Sequence, residues 1–443
     1  MRKFTALSAG LLVSVLGSAF TGLALAVWVF QTTGSVTQYG ITLVLNFLPG
    51  ILFAPVAGAL VDRWNRRTIL MVSDALNAVT VLALALLSMA GVLRLWHVFV
   101  VIGVGSLLRA IQMPALNSVV VLLAPKEHVG RANGMVLLAQ AIGNTVGFAA
   151  GGVLLVAIGL DRVLLIDCAT FVLNVAILLF VAIPAPPRSA AGSADAGRLL
   201  GEIRQGWRYL STRRVLVALI AFYAALQFTV GYVDALFTPL VLSFASAKAL
   251  GLVVAFTGVG MLLGSVLLTT WGGPRRRIHG LAGFALPLGL FLFLGALRPS
   301  VPLIIVAALS FTLCFTVIDG TTRSVLQLEI EPDMQGRAFA TFNMVTNAVL
   351  CASYALAGPI ADHWFEPLLR AGGPLADTVG AVIGVGPGRG MALLVLLFGV
   401  VVLATSVVAY LQPGLRNLPD RPAGGEAGEA EPAVVLSGAP PEG

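Results

Sequence analysis

Apolar runs of about twenty residues, separated by short polar breaks, follow one another along almost the whole chain. Twelve are counted, at residues 8–32, 40–61, 68–90, 97–123, 132–157, 163–183, 214–241, 249–271, 280–297, 301–326, 338–360 and 389–411. A helix of roughly 20 residues crosses the ~30 Å hydrocarbon core of a bilayer. Backbone N–H and C=O groups find no water there, so such runs are expected to satisfy them internally, as helix. The first run follows Met1-Arg2-Lys3 and contains Ala24-Leu25-Ala26, which imitates a secretory leader. It continues to Phe30, beyond the ~7–15 apolar residues of a leader, and is read as an uncleaved first span.

Composition agrees with lipid as the solvent: 58% of the 443 residues are hydrophobic and 11% are charged, against roughly 25% charged in a soluble domain. The net charge of +7 does not point to nucleic acid, because no basic module interleaved with aromatics is present. With the N-terminus in the cytoplasm, nineteen Lys and Arg fall on inside segments and six on outside loops, while Arg109 and Arg323 lie within spans. This bias predicts a multi-pass protein of the inner or plasma membrane with both termini cytoplasmic. Cys168, Cys314 and Cys351 all sit in apolar runs and are read as packing residues.

The spans divide into two groups of six that echo each other. Gly130-Arg131-Ala132 enters the fifth span and Gly336-Arg337-Ala338 the eleventh, 206 residues later. Arg66-Arg67 follows the second span and Arg275-Arg276-Arg277 the eighth, about 209 residues later. A further echo joins Gly58 to Trp64 with Gly358 to Trp364, both reading Gly, three residues, Asp, one residue, Trp. The expected fold class is therefore an all-α membrane protein with twelve transmembrane helices in two pseudo-symmetric six-helix bundles, at 1–184 and 214–411. A cytoplasmic linker at 185–213, with an amphipathic segment on the membrane surface, joins them, and the Pro-, Gly- and Glu-bearing tail 412–443 is expected to be disordered. Repeated halves of this kind imply alternating access around a midplane site.

The run Gly58-Ala59-Leu60-Val61-Asp62-Arg63-Trp64-Asn65-Arg66-Arg67 resembles the signature loop between spans two and three of the major facilitator superfamily. With Leu16-Gly17-Ser18 and Thr33-Gly34-Ser35, the pattern is similar to the drug:proton antiporter-3 subgroup, which includes macrolide efflux proteins and the enterobactin exporter. The resemblance covers roughly residues 5–411. It implies the major facilitator fold and a conformational latch at Gly58, Asp62, Arg63, Arg66 and Arg67. The residues themselves fit a latch, since a carboxylate favours helix N-termini and arginine favours carboxylates or helix C-termini. The same family carries an arginine motif in span four, read as Arg, two residues, Gln, Gly and implicated in proton transfer. Arg109 and Gln112 match it, and Met113 stands where the family has glycine.

A charge at mid-bilayer costs roughly 2.5–3.5 kcal/mol on insertion scales, so each one calls for a reason. Arg109 is a proton or substrate candidate, because a guanidinium also binds anions directly. Asp234 shares a face with Tyr223, Gln227 and Thr238 in span seven, a polar stripe expected to line a cavity where a carboxyl can carry a proton. Asp319 and Arg323, four apart in span ten, are expected to pair, and together with Gln112 they join Arg109 and Asp234 as proton or substrate candidates. Asp74 is expected to pair with Arg66 or Arg67, and Asp167 to anchor its span beside Thr170 and Asn174. Further cavity candidates are Ser18, Thr21 and Trp28 in span one, Gln140 and Asn144 in span five, and Asn343 and Asn347 in span eleven. Phe222, Phe228, Phe237 and Phe311 would supply apolar lining, which suits a bulky amphipathic molecule.

No metal-ligand spacing, P-loop or catalytic constellation is visible, so no metal, cofactor, ATP drive or enzymatic activity is expected. The expected partners are a small-molecule substrate, protons and the lipid bilayer, with the chain acting as a monomer. The leading expectation is proton-coupled efflux of a hydrophobic or amphipathic compound such as a drug, macrolide, siderophore or other secondary metabolite. An uncoupled facilitator or lipid flippase of the same fold, and a non-transporting membrane sensor or scaffold, remain as alternatives.

Overall fold

The computed structural model describes residues 2–123, 129–180, 205–271 and 276–412. Most of the linker at 185–213, and the tail from 413 on, therefore lie outside the described residues. The first five helices are α1 (Arg2–Thr33), α2 (Val36–Arg63), α3 (Arg66–Met89), α4 (Leu95–Leu123) and α5 (Val129–Phe180). A short helix, α6, occupies 205–212. Then follow α7 (Arg214–Leu242), α8 (Ala247–Trp271), α9 (Arg277–Leu297), α10 (Val301–Glu329) and α11 (Pro332–Ile360). A π-helical turn (Ala361–Phe365), α12 (Glu366–Leu368) and α13 (Gly380–Ile383) lead into α14 (Arg389–Leu411). Among the described residues, eleven helices are long and apolar enough to cross a membrane.

One of the eleven crosses twice. Gly159 interrupts the 52-residue α5 at φ 81° and ψ 168°, a conformation that a side chain would strain. Glycines on α1 and α5 show that the chain reverses there. A Cβ on Gly143 would meet Val15 and one on Gly151 would meet Phe20, so α1 runs parallel to the first arm of α5. A Cβ on Gly10 would meet Asn174 and one on Gly17 would meet Asp167, so α1 runs antiparallel to the second arm. The expected break between spans five and six is thus a reversal about one glycine, and α1 wedges into it.

Several helix ends are set by polar side chains close by in sequence. Trp64 and Asn65 alone separate α2 from α3, and Asn65 accepts from the Arg67 N–H at 3.0 Å to cap α3. The segment between α11 and α14 is pinned to α14. The Glu366 carboxylate accepts from the Gly388 N–H at 3.2 Å and the Met391 N–H at 3.0 Å, a favourable place for negative charge. The linker's described end, α6, packs on α11, where a Cβ on Gly206 would lie 2.7 Å from the Arg337 carbonyl oxygen. Arg213, just after α6, reaches Glu331 at 2.5 Å and stacks 4.4 Å over the Tyr209 ring.

The helices pack in two sets. In the first, α1 lies on α5, α2 on α4, and α3 on both α4 and α5. In the second, α7 lies on α11 and α14, α8 on α10, and α9 on α10 and α14. The sets meet mainly along two antiparallel pairs, α5 with α8 and α2 with α11. Small residues bring these backbones together: a Cβ on Gly152 would lie 2.6 Å from the Ala247 carbonyl oxygen, and one on Gly40 would lie 2.8 Å from that of Tyr354. The approaches at Gly152 and Gly40 fall toward the end of the molecule where α2 begins and α11 finishes, hereafter the sealed end.

Close packing also orders the second set, where a Cβ on Gly260 would overlap the Leu309 carbonyl oxygen and Thr312 Oγ1. Thr312 donates to the Thr257 carbonyl at 2.9 Å across the same contact. Gly260→Val is therefore expected to destabilise the protein by roughly 1–3 kcal/mol through overpacking, measured as a lower unfolding temperature in detergent. Gly103→Ala, in open space on α4, should leave that temperature unchanged or higher.

Candidate functional site

The first set of helices encloses a cavity of about 440 Å³ with a markedly polar lining. Its polar groups come from every helix of the set: Ser14 and Ser18 on α1, Asn46 on α2, Asp74 and Asn77 on α3, Arg109 and Gln112 on α4, and Gln140 and Asn144 on α5. Leu7, Leu70, Leu116 and Leu178 extend the lining toward the end opposite the seal.

Asp74 is wholly buried, and its carboxylate accepts from Gln112 Nε2 and from Asn174 Nδ2, both at 2.7 Å. This corrects the expected pairing with Arg66 or Arg67. Arg67 turns instead to the end of α5, donating to the carbonyls of Leu178 at 2.9 Å and Leu179 at 2.6 Å. Helix C-termini leave such carbonyls without intrahelical donors, which is why arginine settles there. The span-four motif is divided by these contacts. Gln112 is committed to Asp74, whereas Arg109, one turn away, lines the cavity with no acceptor within hydrogen-bonding distance among the described residues.

The second set places its charges differently. Asp319 accepts from Arg323 Nε at 3.0 Å through both oxygens, and from the Tyr223 hydroxyl at 2.6 Å. The Tyr223 ring sits 5.2 Å from that of Phe342. Asp234 accepts from the Tyr354 hydroxyl at 2.7 Å and lines a separate cavity of about 340 Å³ with Phe237, Phe311 and Phe315, in which it is the single ionisable side chain among the described residues. The expected stripe on α7 is therefore split. Tyr223 and Thr238 are buried in interhelical hydrogen bonds, and Gln227 Oε1 is buried without a partner.

Other candidates take various positions. Trp28, expected at a cavity, packs instead with Leu25, Val29 and Leu164 in an apolar cluster, because its face of α1 meets α3 and α5. Thr21 is buried, Asn343 is exposed and Asn347 half-buried. Asp167 accepts from the Thr170 hydroxyl on its own helix. Gly58, Asp62 and Arg63 lie in the last turns of α2, with side chains outside the described ones. No group of three His, Cys, Asp or Glu is placed to hold a metal among the described residues.

Sequence reasoning passed over two features. Asn46 and Asn77 line the polar cavity, and lone asparagines in apolar runs were the available signal. Asp362, seen only as an echo of Asp62, joins the two sets at the sealed end. It accepts from the Ser35 hydroxyl at 2.7 Å, the Val36 N–H at 3.1 Å, the Thr37 N–H at 2.8 Å and the Thr37 hydroxyl at 2.7 Å.

Comparison with known proteins agrees with this architecture. The chain is 26% identical over 377 residues to macrolide efflux protein A of Streptococcus pyogenes, covering 82% of this chain and 91% of that one. It is 25% identical over 367 residues to the multidrug efflux pump Tap of Mycolicibacterium fortuitum, covering 81% and 88%. Among solved structures, the nucleoside transporter NupG superposes with a TM-score of 0.70 at 15% identity, over 93% of this chain and 100% of that one. A bacterial homologue of the human lysosomal transporter Spinster, inward-facing and unoccupied, gives 0.69 at 15% identity over 94% and 97%. The family model of the Major Facilitator Superfamily matches residues 7–354, and the chain, a membrane transporter of twelve crossings, belongs to that superfamily.

Proposed function

We propose that this transporter exports a hydrophobic or amphipathic small molecule in exchange for protons, by alternating access between its two helical bundles. The observation that carries the reading is the polar cavity with Arg109 held open in it. An arginine inside a membrane span without a protein partner is costly, and it is retained where a substrate group or a proton-linked carboxyl will answer it. Relatives whose names describe macrolide and multidrug efflux support the direction and the class of cargo.

Orientation follows from the distribution of basic residues. The Lys- and Arg-rich segments lie at the end opposite the seal, so that end faces the cytoplasm and the polar cavity extends toward it. An exporter loads from that side. Asp234 lines the apolar cavity of the second bundle, and on this reading it exchanges a proton with the outside once the seal opens. The Asp319–Arg323 pair, neutral as a unit, positions α10 against Tyr223. A proton entering down 100 mV supplies about 2.3 kcal/mol for uphill export. The loop carrying Asp62, Arg63, Arg66 and Arg67 acts as a latch on the cytoplasmic side.

Arg109→Ala and Asp234→Asn should each reduce pH-driven efflux of a fluorescent amphiphile from reconstituted vesicles by tenfold or more, with the protein still folded. Undiminished transport by both removes the coupling assignment, and flux indifferent to the gradient in the unaltered protein identifies a facilitator. Independently, Asp62→Asn should shift the balance between inward- and outward-open states, read from the reactivity of cysteines placed on each face. Identical reactivity in the two proteins would refute the latch.

A further inference from the structure

The four hydrogen bonds to Asp362 run between the two bundles. Every donor belongs to the start of α2 in the first bundle, while the acceptor follows the end of α11 in the second. The first N–H groups of a helix have no intrahelical acceptor and carry partial positive charge. Ser35, the residue preceding α2, caps it in the ordinary way by accepting from the Gln38 N–H at 3.3 Å. The Val36 and Thr37 N–H groups are left for the other bundle to answer.

Backbone approach fixes this geometry. A Cβ on Gly358 would overlap Thr37 Cα, and one on Gly40 would lie 2.8 Å from the Tyr354 carbonyl oxygen. The two helices therefore touch for more than a turn beneath the carboxylate. One layer further in, the Tyr39 hydroxyl donates to Thr238 Oγ1 at 3.1 Å, again from one bundle to the other. Resting on the alternating-access reading, we infer that Asp362 is a positioning residue for transport, the clasp that holds the gate at the sealed end shut. Opening that end separates α2 from the end of α11, so all four bonds break together. The clasp sits at the rim, where water can take over the freed donors and the carboxylate, and this keeps it releasable. A carboxylate deeper in the bilayer would have no such replacement.

The test uses full-length protein in proteoliposomes with its three native cysteines replaced. Thr238→Cys reports the sealed end and Ser14→Cys, on the polar cavity, reports the opposite end; each is labelled with a membrane-impermeant maleimide. Asp362→Asn should speed labelling of the first position at least tenfold and slow that of the second. Asp362→Glu should move both rates back toward the unaltered protein. Ser35→Ala with Thr37→Val, which removes the hydroxyl donors from the other bundle, should act in the same direction and add little to Asp362→Asn. Unchanged rates in both Asp362→Asn and the donor variant overturn the clasp, as does a change in Asp362→Asn that the donor variant fails to share. Labelling needs neither substrate nor proton gradient. A protein that labels as expected but exports nothing therefore keeps the clasp and loses the export reading.

Discussion

Hydrocarbon offers a polar side chain no water, and most of this molecule follows from that constraint. A charge at mid-bilayer costs roughly 2.5–3.5 kcal/mol on insertion scales unless it is answered. Three intramembrane carboxylates are answered in three ways. Asp74 takes two neutral amide donors from neighbouring helices, Asp319 takes an arginine one turn along and a tyrosine hydroxyl, and Asp234 takes a tyrosine hydroxyl at the edge of an apolar cavity. Each arrangement ties helices of one bundle together as well as stabilising its charge. Against that background Arg109 stands apart, because its guanidinium faces a cavity rather than a protein acceptor. The polar groups that tie the helices of each bundle together are distinct from the guanidinium that faces the cavity.

The two bundles, though related in sequence, enclose cavities of different chemistry. The cavity of the first carries amides, hydroxyls, the Asp74 carboxylate and the Arg109 guanidinium among leucines and other apolar side chains. That of the second is lined by aromatic and aliphatic side chains around a single carboxylate. A sugar or an ion would leave the apolar wall unused, and a pure hydrocarbon would leave the polar wall unpaired.

The spans were legible because hydropathy is a local property of the chain. Their ends were less so. α2 begins at Val36 rather than 40, α10 runs to Glu329, and α11 starts at Pro332, because helices continue past the hydrocarbon where capping and contacts, not hydropathy, decide the end. The Asp319–Arg323 pair was legible for the same reason as the spans, since both partners lie on one helix at a spacing of four. The partners of Asp74 lie 38 and 100 residues away, and nothing local distinguishes Gln112 or Asn174 from the nearer arginines. Trp28 looked like part of a polar stripe, yet one face of a helix meets either a cavity or a neighbour, and only packing chooses. Asp362 was the least legible, its donors lying 325 to 327 residues away. Only the repeated Gly-x-x-x-Asp-x-Trp spacing set it apart.

That repeat gains meaning from the register of α2 against α11. The two helices are antiparallel, with Thr37 beside Gly358 and Gly40 beside Tyr354. Equal steps in opposite directions bring Asp62, near the end of α2, level with Pro332, the first residue of α11. Each helix thus finishes in an acid-bearing segment level with the beginning of the other. The helices have 28 and 29 residues, about 42 Å at 1.5 Å per residue, long enough to reach both surfaces of a bilayer. In the structure Asp362 is seated on the start of α2, and the Asp62 end of the same helix pair is where the proposed latch would act. On the alternating-access reading proposed above, the register of this one helix pair would supply two clasps of similar build, one toward each surface.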